Sequence, residues 1–450
     1  MIGVSLQLWR ALLFRLAAAA VSVALVSLAH AEDFQGSTHK VAYDGEIIDY
    51  DHQTPDNPVT RLQRKLENGE EQFKFDPEFG YLKAVLDALD VPRSSQMLVF
   101  SKTSLQRQLI DPKNPRAIFY NDDVYIGYIP GAPVMEISAV DPKLGGVFYT
   151  LPQAERLKPT FTRSSECLQC HGTGKTLGVP GHLLRSIATD EQGELDLQAE
   201  VSGITHCTPL ADRWAGWYVT GTHGSQAHRG NLVGPAAFEQ RANEPNYLVD
   251  VTNLSQFFDV TKYPETGSDI VALVVLEHQA HMHNYITRLS FEAQIMLKQY
   301  GHIRYLKNQV NAFLRYLLLT EEAPLRSALQ GNPEFVKQFT ARGLRDKQGR
   351  SLRDLDLQTR MFKYPCSFLI YSPPFDTMPT AIREHLLQRL YDILTGQDQS
   401  PEFAKLRADD RQAIREILCE TKTNLPTYWK KPHSADVEKG REAHLKFIPH

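Results

Sequence analysis

The sequence is poor in cysteine, with five in 450 residues, which excludes a small scaffold held by disulfides. It also lacks an excess of charge. Lys and Arg number 49 against 53 Asp and Glu, a net charge of −4, so nothing draws the chain generally to nucleic acid or to an anionic membrane. Beyond the N-terminus long apolar runs are missing. The longest, Ile270–Leu276, is far below the ~20 residues that span a bilayer as a helix. Methionine is absent between Met135 and Met282, and there is no internal repeat. What remains is ordinary globular composition, 42% hydrophobic and 23% charged, in a chain long enough for two or three modules.

Residues 1–31 have the order of a secretory signal peptide. Arg10 and Arg15 precede an apolar stretch from Leu16 to Leu28, and Ala29-His30-Ala31 forms a small-x-small cleavage site. The alternative is an uncleaved N-terminal anchor, but the stretch is short for a span. The expectation is export to the periplasm, with no stable membrane span after cleavage.

Periodicity divides the rest into an α+β region over 32–160, a loop-rich segment over 161–240, a helical region over 241–430 and a polar, flexible tail over 431–450. In the first region Asn57–Glu70 and Gly80–Leu89 carry helical apolar spacing. Strands are expected at 116–120, 124–129, 134–140 and 147–151, the first two joined by Asn121-Asp122-Asp123, which suits a hairpin turn. They read as an antiparallel meander packed against helices. In the third region Ser268 is expected to cap a helix through about Leu289, followed by helices near 302–319, 379–395 and 409–422, with Pro379 at a start and Gly396 past an end.

The chemistry lies in the middle segment. Cys167-Leu168-Gln169-Cys170-His171 is a CxxCH motif. Its two thiols match the vinyl groups of haem for thioether formation, and its histidine falls beneath the iron. With five cysteines and 16 histidines in 450 residues, the pattern is expected by chance far less than once. A zinc knuckle would need a second cysteine pair or a His pair at finger spacing, and a thioredoxin-like dithiol would need a βαβ pattern; neither occurs. One haem c, attached at Cys167 and Cys170 with His171 as proximal ligand, is the expectation. Of the other cysteines, Cys207, Cys366 and Cys419 allow at most one disulfide, and Cys366 sits in an apolar stretch that suits a buried thiol.

The second axial ligand is open on sequence grounds. His182, His206, His223 and His228 all lie in the segment. His223 follows Trp214-Ala215-Gly216-Trp217-Tyr218, whose alternating bulky residues suggest a strand facing a porphyrin, and it is flanked by Gly221 and Gly224. It is the candidate distal ligand; the alternative is a histidine bonded to loop backbone. His228, Arg229, Arg163, Arg185 and Lys175 are candidates for the haem carboxylates. A second cluster, Glu277-His278-Gln279-Ala280-His281-Met282-His283, lies on the long helix. At helical spacing His278 and Met282 share the apolar stripe and are alternative distal ligands, whereas His283 points away. Glu277, His278 and His281 could instead form a small metal or acid–base site, or His278 and Met282 could simply be core residues.

Several phrases make the chain similar to a group of secreted bacterial cytochrome c domain-containing proteins of unknown function. They are the CxxCH with Gly172, Gly178-Val-Pro-Gly-His-Leu-Leu-Arg185, Trp214-x-Gly-Trp-Tyr-Val-Thr-Gly-Thr-His-Gly224, Leu276-Glu-His-Gln with Met282-His-Asn, and Tyr364-Pro-Cys-Ser-Phe-Leu-Ile-Tyr371. The resemblance covers most of the chain after residue 31; Ala215 and Cys207 depart from it, and it carries a chemical role only to Cys167, Cys170 and His171. Two functions follow as expectations. One is a one-electron carrier with a redox partner protein, its iron closed by a second protein ligand. The other is an enzyme or sensor for peroxide, nitric oxide or a similar ligand at an open iron position, which the size of the flanking regions favours.

Overall fold

The computed structural model describes residues 40–196 and 202–430, so the expected signal peptide and tail lie outside the described residues. The first helix, α1 (Pro58–Asn68), begins where sequence says it should. The Asn57 side chain accepts from Val59 and Thr60 N–H, Pro58 occupies the first turn, and Gly69 closes it at φ 74°. Together with α2 (Leu82–Ala88) it presents Val59, Leu62, Leu66, Val85 and Leu86 to one face of a sheet.

That sheet is antiparallel, and the fold is α+β. Its strands are β1 (Met97–Val99), β2 (Arg116–Tyr120), β3 (Val124–Tyr128), β4 (Val134–Asp141), β5 (Gly145–Pro152) and β6 (Thr162–Arg163), in the order β6-β5-β4-β3-β2-β1. The β2–β3 turn forms because the Asn121 side-chain Oδ1 accepts from Asp123 and Val124 N–H. At the β4–β5 turn Asp141 does the same for Lys143 and Leu144, and Gly145 supplies φ 72°.

The loop-rich segment contributes α3 (Leu168–His171), the short pair β7 (Arg185–Ser186) and β8 (Ser202–Gly203), and β9 (Trp217–Tyr218). The expected strand around Trp214 is reduced to β9, which pairs with β1 through Leu98↔Tyr218 and Val99↔Trp217. This segment therefore completes the N-terminal sheet. Ser268 serves that junction, donating to Tyr218 O and accepting from Leu98 N–H. The cap of the following helix is Asp269, whose carboxylate accepts from Ala272 N–H.

After α4 (Gly234–Asn243) comes the central helix, α5 (Ile270–Tyr300), which runs past Leu289 to a left-handed Gly301. Around it pack α6 (Lys307–Leu317), α7 (Pro333–Ala341), α8 (Pro373–Asp376), α9 (Thr380–Leu394) and α10 (Ala408–Thr421), directly or through one another. The sheet covers its other side, so α5 is buried all round from Ile270 to Ala280 and along most of its length to Ala293. His283, expected to point away, is buried for that reason and hydrogen-bonds Asp122 O through Nε2 at 2.9 Å. Alternation divides the sheet's faces. Leu98, Ala117, Phe119 and Ile126 join the core under α1 and α2, while Met97, Val99, Tyr120 and Tyr125 join the core around α5. Among the described residues no helix is long and apolar enough to cross a membrane.

Burial pushes the His278 imidazole down to about 3 and that of His283 down to about 4. Between these values and the ordinary 6.5 the unfolded chain binds protons that the folded chain does not. Stability should thus be full above about pH 6.5 and fall as pH drops through 4, by roughly 3 kcal/mol per such histidine at pH 4. Urea unfolding midpoints measured from pH 7.5 to 4 should decline steadily; a flat profile would contradict this account.

Candidate functional site

The CxxCH residues occupy one helical turn. His171 N–H bonds Cys167 O at 2.9 Å, and Cys167, Cys170 and His171 fall at i, i+3 and i+4, the spacing that puts side chains on one helix face. All three line a single cavity of about 330 Å³, within the usual range of small-molecule sites. The Cys170 side is exposed and the Cys167 side half-buried, and burial raises the Cys167 thiol.

Two hydrogen bonds orient the histidine. His171 Nδ1 donates to Gly181 O at 2.9 Å, and Gly181 N–H returns to His171 O at 2.9 Å. Burial pushes this imidazole down to about 4, so it is neutral near pH 7 with its proton on Nδ1. The lone pair is then on Nε2, which no described residue hydrogen-bonds. Gly181 is in turn fixed from α5. Asn284 is fully buried, accepts from His182 N–H at 2.8 Å and donates to His182 O at 2.7 Å. A Cβ at position 181 would lie 2.1 Å from Asn284 Oδ1, so the clamp requires glycine there.

The cavity lies on the α5 side of the sheet. Val99, Ile118, Phe148, Leu184, Trp217 and Leu276 give it apolar walls. Its polar groups stand at alternate strand positions: Arg116 on β2, Glu136 and Ser138 on β4. Arg116 pairs with Glu136 at 2.6 Å and lies across Gly127, where a Cβ would meet the guanidinium at 2.2 Å. Burial opposes ionisation of Glu136, but Arg116 and the Ser104 hydroxyl outweigh it and hold the carboxyl below its usual range. Arg107 and Arg185 also line the cavity, and neither guanidinium pairs with a described residue. His182 lines it too, stacked on Tyr125 at 4.1 Å, with Nε2 bonded to Ser138 Oγ at 2.9 Å and Nδ1 buried without a partner.

The three other residues singled out as iron ligands lie outside this lining. His223 is buried with both ring nitrogens engaged: Nδ1 donates to Gln226 O at 2.5 Å and Nε2 accepts from Asp250 N–H at 3.3 Å. His278 shares a 2.9 Å hydrogen bond with His206 and a 2.7 Å one with Ser367. Met282 is fully buried in the core around α5. Glu277 is committed to Arg213 at 2.8 Å and to the Trp214 indole. His228 packs on Trp214 and His223, Arg229 lies over Phe238, and Arg163 donates to Tyr50 O at 2.6 Å. Of the candidate carboxylate partners, Arg185 alone lines the cavity.

Sequence reasoning passed over Arg116, Glu136, Ser138 and Tyr125, because the meander carries no motif. The available signal was Arg116 and Glu136 themselves, charges set at alternate positions in otherwise apolar strands. Cys207 and Cys366 are free, and burial pushes each thiol up to about 12. Among the described residues no group of three or more His, Cys, Asp or Glu is placed to hold a metal ion.

Two thiols and an imidazole with a free Nε2 on one helix face, an apolar slot and two unpaired guanidinium groups are a donor set that fits a covalently held haem with two carboxylates. No family model, curated protein or solved structure matches the chain.

The clamp on His182 gives a direct expectation. Asn284→Ala leaves a buried N–H and C=O unpaired and should cost about 2–4 kcal/mol of stability. Hydrogen exchange at 181–184 should accelerate more than exchange in β3 and β4. Equal acceleration throughout would show that Asn284 does not act locally.

Proposed function

We propose that the chain is an exported mono-haem c-type protein with one-electron redox chemistry. Cys167 and Cys170 would hold the haem as thioethers, and His171 Nε2 would ligate its iron. The observation that carries this reading is the His171–Gly181 pair of hydrogen bonds, which presents an unprotonated Nε2 to the cavity that both cysteines line. A backbone carbonyl that accepts from the other ring nitrogen fixes the tautomer and raises the basicity of a ligating histidine. Bound there, haem would supply an iron centre that changes oxidation state by one electron. Arg107 and Arg185 would pair with its carboxylates, and the apolar walls would exclude water from its faces. Glu166, Gln169 and Cys170 are exposed, so the attachment edge faces solvent, where a redox partner protein in the periplasm could approach.

A second reading, an enzyme or sensor for a small ligand such as peroxide or nitric oxide, is favoured by a specific feature of the lining. Among the described residues, His182 alone besides His171 brings an imidazole or thioether to it. His182 follows Gly181, and Gly181 is held at the Nδ1 side of the His171 ring, away from Nε2. With His182 Nε2 bonded to Ser138 and with His223, His278 and Met282 outside the lining, Arg116 and Glu136 are the polar groups that would meet an incoming ligand.

Both readings are tested by expression with cytochrome c maturation machinery. Wild type should give the pyridine haemochrome of two thioethers, and Cys167→Ser with Cys170→Ser should lose covalent haem entirely. The ferrous protein should bind CO, and His223→Ala, His278→Ala and Met282→Leu should leave its optical spectrum unchanged. A low-spin, CO-inert ferrous protein would return the role to a closed electron carrier, and retention of covalent haem by the double serine variant would overturn the attachment.

A further inference from the structure

A second cavity, of about 450 Å³, adjoins the first. His182, Leu183, Leu184 and Ala280 line both, so a single layer of side chains separates them. Its other walls come from α5, α6 with Glu321 beyond it, the turn that follows CxxCH, and the loop over 203–209, which includes Thr205, Cys207 and Thr208. Three rings converge in it. Tyr285 and Tyr316 lie 4.9 Å apart at 33°, and His281 meets Tyr285 at 5.0 Å edge-on and Tyr316 at 5.0 Å. Leu177, Leu183, Leu184, Ile204 and Ala312 supply apolar surface. His281 is half-buried, and neither ring nitrogen hydrogen-bonds a described residue. Its neighbours on the helix differ in this respect, since His278 and His283 are each bonded.

Both carboxylates at this cavity are paired: Arg315 lies 3.8 Å from Glu321, and Glu277 is held by Arg213 from outside the lining. The remaining cation, Lys175, is exposed. Among the described residues no buried, unpaired charge lines the cavity to select an ion. A neutral ligand with a flat ring and one hydroxyl answers all three features: ring faces for tilted stacking, apolar walls, and an unpaired imidazole. We propose that this second cavity is a binding site for a small neutral phenol, whose hydroxyl hydrogen-bonds His281 and whose ring packs on Tyr285 and Tyr316.

The test is calorimetric titration of the full chain with phenol, with benzoate and cyclohexanol as probes of charge and aromaticity. Phenol should bind saturably at one site and more tightly than either. His281→Phe should weaken it about tenfold, the loss of one hydrogen bond, and His281→Gln should retain most of the affinity; circular dichroism checks that both variants fold as wild type. Absence of saturable phenol binding to wild type, or unchanged affinity in folded His281→Phe, would overturn the proposal. Covalent haem is quantified separately as the pyridine haemochrome. Neither Cys167 nor Cys170 lines this cavity, so failure of haem attachment and failure of phenol binding read out independently.

Discussion

The paired hydrogen bonds between His171 and Gly181 are the constraint on which the site depends. They join a residue of one helical turn to a loop ten residues later, and they decide which imidazole nitrogen is available. The loop cannot hold that position alone. Asn284 fixes it by taking both backbone groups of His182, and Asn284 sits midway along a helix buried over most of its length. The CxxCH turn is thus referenced to a long, mostly buried helix through backbone groups of the loop. This matters because a single histidine on a four-residue helix has little stiffness of its own; helices this short are held by their surroundings.

The central helix shows what that arrangement requires. Glu277, His278, Gln279, His283 and Asn284 are almost fully buried on it, where an unpaired polar group costs far more than at a surface. Each meets at least one specific neighbour: Arg213 and Trp214, His206 and Ser367, the Asn121 backbone carbonyl and Tyr125, the Asp122 carbonyl, and His182, while Gln279 Oε1 and His283 Nδ1 have no hydrogen-bond partner among the described residues. These partners come from the sheet's turn, the loop-rich segment and the C-terminal region. The helix therefore ties the three sequence regions into neighbouring cores, and register errors along it would strand several polar groups together. His281 stands apart in this row because its ring nitrogens meet a cavity and no described partner.

Much of the scaffold was legible in local chemistry. Asn57 with Pro58 and Gly69, the Asn121 turn, and the alternation in 116–120 and 134–140 act over a few residues, so their consequences follow from short-range geometry. The antiparallel meander and the C-terminal helices followed in the same way. The helix cap was misassigned to Ser268 in place of Asp269 because both can cap, and a distant strand pair uses the serine hydroxyl. His283 was placed on the outer side of its helix because a stripe on one face implies a solvent side; the sheet and the surrounding helices leave none there.

For the site, the sequence by itself determined the grouping of Cys167, Cys170 and His171, since i, i+3 and i+4 on one turn share a face whatever surrounds them. It could not decide which distant residues meet that face. His223, His278 and Met282 had suitable chemistry, but hydrogen bonds to backbone and to another histidine, and for Met282 full burial away from the cavity lining, direct them elsewhere. Arg116, Glu136 and Ser138 had no motif, yet strand pairing stacks them opposite the CxxCH turn. Contacts of that kind join residues tens of positions apart, and only the tertiary structure, by setting which strands pair and which face α5 covers, brings them to one cavity.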